Sequence, residues 1–156
     1  MAKEDAGDSW ASSSGTRASM RSNRGRDTKP ELALRSSLHR AGLRFKVSAR
    51  PVPTLRRTAD VIFTKYRVAV FVDGCYWHGC PTHRSIPLTN HEFWVAKIEG
   101  NRSRDAETDR LLVEHRWFVV RVWEHTSVEH AVSLVQLGLE ESKSGRSARV
   151  IKEDVR

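Results

Sequence analysis

Five consecutive apolar residues, Val68-Ala69-Val70-Phe71-Val72, run directly into Asp73. This is the longest uninterrupted apolar run in the chain, and β-branched and aromatic residues at that length make a strand. It falls far short of the roughly 18 to 20 residues that span a bilayer. The first 25 residues hold no apolar signal-peptide core. A cytoplasmic protein with no membrane partner is therefore expected. Two further strands are predicted over Leu43 to Ser48 and Ala59 to Thr64, and the short link Thr64 to Arg67 makes the second and third strands an antiparallel hairpin.

Helices fill the intervals. Thr28-Lys29-Pro30-Glu31 has the form of a capping box with proline in the first turn, opening a helix on Leu34, Leu38 and Ala41, widened by Leu32 and stopped by Gly42. A long helical stretch, bent near Gly100 and Asn101, is expected from His91 to His115, followed by a strand over Trp117 to Trp123. Thr126-Ser127-Val128-Glu129 reads as a second capping box, opening a helix through Val132, Val135 and Leu137. The order α-β-β-β-α-β-α implies an α/β fold, one mixed β-sheet flanked by helices. A chain of 156 residues fits one such domain. We place it at residues 26–138, between a flexible basic N-terminal arm at 1–25 and a flexible C-terminal tail at 139–156. With 27 Lys and Arg against 19 Asp and Glu, the net charge of +8 points to an acidic partner, nucleic acid ahead of membrane. Arg17, Arg21, Arg24 and Arg26 charge the arm.

The segment from Gly74 to Asn90 is too long and irregular for a simple turn, and it is rich in Gly, Pro, His and Cys. Cys75, Cys80 and His83 lie within it, and His125 follows the last predicted strand. Two thiolates and two imidazoles are a sufficient set for structural zinc, which would fix the shape of a loop with little core of its own. The alternative is a pair of buried cysteines with surface histidines. His78 competes as a ligand, but the spacing favours His83 and leaves His78 to act on a substrate.

Asp60 and Asp73 fall at neighbouring ends of the predicted hairpin, where two carboxylates could share a Mg²⁺. Acids that merely end strands and face water are the other reading. A neutral His78 imidazole could take a proton from an attacking water while Asp105, on the facing helix, held its other nitrogen. Tyr76, Trp77 and Trp94 are large aromatics beside this centre; they either wedge into a duplex or pack in the core. Trp117 and Trp123 are read as core.

Together these residues resemble the very short patch repair endonucleases, bacterial enzymes that nick DNA at T:G mismatches left by deamination of 5-methylcytosine. The resemblance covers about Met20 to Leu137. It rests on Arg26-Asp27-Thr28 with Glu31, Ala59-Asp60-Val61, Gly74-Cys75-Tyr76-Trp77-His78, Phe93-Trp94 with Lys97-Ile98, Asn101, Arg104-Asp105, and Trp117 to Val120 leading to Val122-Trp123-Glu124. It implies a restriction-endonuclease-like fold with a zinc-stabilised loop. It further implies Asp60 as the metal-binding aspartate, His78 as general base, Asp105 as its supporting acid and Glu31 as an acid near the scissile phosphate. Tyr76 and Trp77 match the aromatics that enter the duplex, with Trp94 as companion and Met20 as a wedge from the other side. Cys75 and Cys80 match two zinc ligands, while the loop after His78 is shorter than in the family and His125 stands where a cysteine is expected. Where the family has Thr-His before Gly-Cys, this chain has Val72-Asp73, which suggests a carboxylate-dependent site with Asp60, Asp73 and the Val72 carbonyl on Mg²⁺.

The expected activity is a Mg²⁺-dependent single-strand nick beside a T:G mismatch in double-stranded DNA, by a monomer, with mismatch-repair proteins and a repair polymerase as associates. A zinc-stabilised DNA-binding module without catalysis and a related nuclease of different specificity are the rivals.

Overall fold

The computed structural model describes residues 26–83 and 86–153. Met20, Arg21 and Arg24, expected to contact DNA, lie outside them. The elements follow in the order α1 (Lys29–Arg40), β1 (Lys46–Ala49), β2 (Ala59–Phe63), a 3₁₀ turn (Thr64–Tyr66), β3 (Val68–Asp73), α2 (His91–Glu114), β4 (Phe118–Trp123), α3 (Val128–Lys143) and β5 (Val150–Lys152). The five strands form one mixed sheet in the order β1-β2-β3-β4-β5. β1, β2 and β3 run antiparallel in succession, whereas β3, β4 and β5 are parallel.

The apolar run in β3 is continuous because both of its faces are covered. Val68 and Val70 face the helices α1 and α3, in a core with Leu34, Leu38, Val120, Val135 and Leu139. Ala69 and Phe71 face the other side, with Ile62, Leu112, Trp117 and Val119. α3 lies so close to the sheet that a Cβ at Gly138 would come within 3.1 Å of Val120 Cγ2. Only glycine permits that approach without a shift of the packing.

Several boundaries depart from expectation. Residues 139–153 are not a tail: α3 continues to Lys143 and Val150–Lys152 adds a fifth strand beside β4. The Val150 and Ile151 pair is polar-flanked in sequence yet supplies the edge strand, with Ile151 buried in the core. Leu32 and Leu137 do not widen buried stripes but stand at the surface, 49% and 37% exposed. α2 is one continuous helix of 24 residues through Gly100. The N-cap of α3 is Ser127, which accepts from the His130 N–H. Thr126 instead accepts from the Trp123 N–H and donates to Glu153. At the start of α1, Glu31 reaches back one residue further than a capping box requires, accepting from the Asp27 N–H at 2.8 Å and from the Thr28 hydroxyl at 3.1 Å.

Candidate active site and metal cluster

β3 and β4 are parallel and in register, with Asp73 opposite Trp123. Residues two positions beyond each strand end therefore rise at the same height, which brings Cys75 of one connection against His125 of the other. The Cys75 Sγ lies 3.0 Å from His125 Nδ1 and 3.9 Å from His83 Nδ1; Cys80 Sγ lies 3.8 Å and 3.7 Å from the same two nitrogens. A tetrahedral ion with Zn–S near 2.3 Å and Zn–N near 2.1 Å sets an S···N edge of about 3.6 Å. Both cysteines are buried and both histidines exposed, so the thiols lie on the protein side of the cluster. Burial, the neighbouring Cys80 thiol and Glu124 push the Cys75 thiol up to about 12. A group this reluctant to ionise alone becomes a thiolate when a cation is bound. The donor set, two soft sulfurs and two imidazoles, fits zinc.

His78 follows in the same loop. Its Nδ1 is 2.5 Å from Asp105 Oδ2 on α2 and 3.8 Å from Asp73 Oδ1. Asp105 thus occupies Nδ1, and Nε2 has no partner among the described residues. Burial works against the imidazolium, but the Asp105 hydrogen bond and the charges of Asp73 and Asp105 outweigh it and hold the His78 pKa above its ordinary 6.5. The loop is pinned to α2 at two further points. Asn101 donates to the Trp77 carbonyl at 2.8 Å. Gly79, at φ +65°, sits where a Cβ would meet Ile98 Cγ2 at 2.9 Å.

Asp60 and Asp73, expected to share a metal, each hold a partner of their own. The β2–β3 register sets Val61 opposite Val70 and Ile62 opposite Ala69, which puts Asp73 past the first residue of β2. The Asp60 carboxylate instead accepts the Val72 N–H at 2.7 Å, taking the place of a ladder carbonyl. Asp73 turns to Arg121, whose Nη1 lies 2.9 and 3.0 Å from its two oxygens. Asp60 remains within the electrostatic reach of Glu31 and Asp73. Burial, with those two charges adding to it, raises its pKa to about 6 against the Val72 hydrogen bond. Glu31 is itself buried and paired with Arg35 at 3.2 Å.

The aromatics form one cluster, with ring centroids 5.1 Å apart for Tyr76 and Trp77, 5.5 Å for Tyr76 and Trp94, and 6.0 Å for Trp77 and Trp94. Trp94 is 6% exposed, so it is a platform beneath the other two and not a surface contact. Tyr76 and Trp77 are half-buried. Trp117 is core as expected, but Trp123 is only partly covered and stacks on His125 with an interplanar angle of 9°. Beside the cluster, a cleft of about 460 Å³ is lined by Asp73, His78, Arg102, Asp105, Arg121 and Lys152, among others. Arg26, the one described residue of the four N-terminal arginines, is exposed.

Sequence reasoning passes over Arg121. It is buried in β4 and contacts Asp109 at 2.6 Å as well as Asp73. The signal is present: a lone cation within the otherwise apolar strand Phe118–Trp123. Arg35, beside Glu31, is passed over too.

A mixed sheet with acids, an oriented imidazole and a cleft at the ends of its central strands has the architecture of the restriction-endonuclease-like class. The family model described as DNA mismatch endonuclease Vsr matches residues 10–84. Type II nicking enzyme V.NaeI of Lentzea aerocolonigenes is 41% identical over 123 residues, 78% of this chain and 74% of that protein. The chain belongs to the Vsr family of DNA endonucleases. Type II nicking enzyme V.NmeDIP of Neisseria meningitidis serogroup C is 43% identical over 114 residues, 71% of this chain and 74% of that one. DNA mismatch endonuclease Vsr of Escherichia coli K12 is 37% identical over 106 residues, 67% of this chain and 66% of that one.

Proposed function

We propose that this protein makes a Mg²⁺-dependent single-strand nick beside a T:G mismatch in duplex DNA. The observation that carries this reading is the His78–Asp105 pair lining the cleft, with the Asp60 carboxylate at the neighbouring strand end and two half-buried aromatics alongside. The names of the similar proteins, nicking enzymes and a mismatch endonuclease, support it.

Asp60 and the Val72 carbonyl would hold Mg²⁺, with Glu31 and Asp73 near enough to favour a cation. Hard oxygens in a buried acidic setting are the donors this ion takes. When bound, it supplies Lewis-acid stabilisation of the charge that builds on the phosphate. His78, fixed by Asp105 through Nδ1, would accept the proton of the attacking water at Nε2. Arg102 and Lys152, on the cleft wall, suit the adjoining phosphates. Tyr76 and Trp77, backed by Trp94, would enter the base stack at the mismatch, and Met20 would enter from the arm. Cys75, Cys80, His83 and His125 would hold a structural Zn²⁺. The 5′-phosphate left at the nick suits onward processing by a repair polymerase. No helix among the described residues is long and apolar enough to cross a membrane. We place the enzyme, as a monomer, in the cytoplasm on the chromosome.

The test is incubation with Mg²⁺ and end-labelled duplexes that differ only in one T:G, T:A or C:G pair. Nicking confined to T:G is the expected result. Equal nicking of the matched duplexes would replace mismatch recognition with recognition of sequence alone, and binding without a product would leave a DNA-binding module.

A further inference from the structure

The Asp73, His78 and Asp105 ligand atoms all lie within 4.8 Å of one another, close enough to hold a metal ion. A cation already faces two of them. Arg121 is 6% exposed, and its Nη1 is shared between both oxygens of Asp73. Its Nη2 approaches the Asp105 backbone carbonyl at 3.4 Å and Asp105 Oδ1 at 3.7 Å. Its Nε donates to Asp109 Oδ1 at 2.6 Å, and its plane lies over the Phe71 ring at 4.6 Å from the centroid. Lys152 takes the second oxygen of Asp109 at 3.2 Å.

The guanidinium is planar, retains its proton at any working pH and offers a fork of five donors. Asp105 and Asp109 stand one turn apart on α2, so a grip on both fixes the rotation of that turn against β3 and β4. His78 Nδ1 is then caught between Asp105 at 2.5 Å and Asp73 at 3.8 Å. Both carboxylates on which its orientation depends are themselves set by Arg121. The same charge meets a divalent ion with like-sign repulsion at the one place where these three residues could bind it.

We propose that Arg121 is a positioning residue acting as a built-in cation: it sets Asp73 and Asp105 around His78 and keeps a divalent ion out of that triad. Its effect on nicking rests on the function proposed above, whereas its effect on ion binding does not.

The test uses the full chain with its zinc, comparing wild type with Arg121→Gln and Arg121→Lys. Mn²⁺ is titrated and followed by the electron paramagnetic resonance of the free ion, and single-turnover nicking of a T:G duplex is measured alongside duplex affinity in Ca²⁺. Wild type should take up one Mn²⁺ and Arg121→Gln two. The single-turnover rate of Arg121→Gln should fall on the order of 100-fold, the usual cost of a misplaced catalytic group, while duplex affinity stays within a few-fold. Arg121→Lys keeps the charge without the fork, so it should bind one ion and recover only part of the rate. Two ions on wild type, or a single ion and a rate within a few-fold of wild type in Arg121→Gln, would overturn the proposal. Should Arg121→Gln fail to fold by circular dichroism, Arg121→Lys decides: a wild-type rate or a second ion there would overturn it. Wild-type protein that nicks no duplex would defeat the proposed function, and the Mn²⁺ counts would still judge Arg121.

Discussion

Asp60→Asn should make the protein more stable and inactive at once. Burial first, then the charges of Glu31 and Asp73, lift the Asp60 pKa from its ordinary 3.8 to about 6. At about 1.36 kcal/mol for each tenfold change in proton affinity, that interval amounts to about 3 kcal/mol of preference for the neutral carboxyl. The folded-state pKa lies above the unfolded one. The contribution to stability is therefore intact below about pH 4 and is lost as the pH rises through about 6. Asparagine keeps an oxygen for the Val72 N–H, now met at 2.7 Å, and removes the charge. Urea unfolding followed by tryptophan fluorescence, in buffer without Mg²⁺ and with zinc retained, reads the difference. The variant should exceed wild type by up to about 3 kcal/mol near pH 7.5, and the gap should shrink to about 1 kcal/mol near pH 4.5. Added Mg²⁺ should raise the stability of wild type alone, because only the charged carboxylate gains from the ion. A variant less stable than wild type near pH 7.5, or a gap that ignores pH, would refute the claim that this carboxylate is desolvated at a cost and held for a cation.

Elemental analysis should find one Zn²⁺ per chain, lost with solubility in Cys75→Ser or Cys80→Ser and retained in His78→Ala. Because the Cys75 thiol is pushed up to about 12 in the absence of a cation, zinc uptake should release protons and its affinity should fall steeply as the pH drops, which calorimetry in two buffers measures. Nicking by wild type should fall as the pH drops through a midpoint above 6.5, since the imidazole must be neutral to accept a proton and its neighbours hold it protonated; a rate that rises toward acid would exclude His78 as the base. Replacing Tyr76 and Trp77 together by Ala should chiefly erase the preference for T:G over matched DNA, at about 1 to 3 kcal/mol for each ring that no longer stacks on a base, and unchanged discrimination in competition binding would assign both rings to packing.

The central strands are legible because β2, β3 and β4 are short apolar runs with no competing helical period, and the Cys/His set is legible because those residue types rarely cluster without a reason. β5 is not: Val150–Lys152 offers two apolar residues among charges, and only the β4 edge beside it makes a strand of them. Register is equally hidden. Strand ends that look level in sequence are offset in the hairpin, so Asp60 meets a backbone amide and Asp73 meets Arg121. Arg121 itself escapes because a cation in a strand reads as a solvent-facing residue, and the three carboxylates around it come from β3 and α2, which only the fold brings to it. Trp94 falls on the core side of a choice that its residue type leaves open: it packs beneath the half-buried Tyr76 and Trp77.

The meeting of Cys75 with His125 has a consequence for how the chain opens. The two are 50 positions apart, with all of α2 and β4 between them. A metal bridging them closes a loop of that length, and by analogy with a disulfide such a cross-link removes about 4 kcal/mol of disorder from the unfolded chain. Such a tie would sit at the Asp73 and Trp123 ends of β3 and β4 and nowhere else along them. Loss of the ion would therefore let those two ends separate first, so that amide exchange at Val72 and Val122 would quicken well before that at Val68 and Phe118.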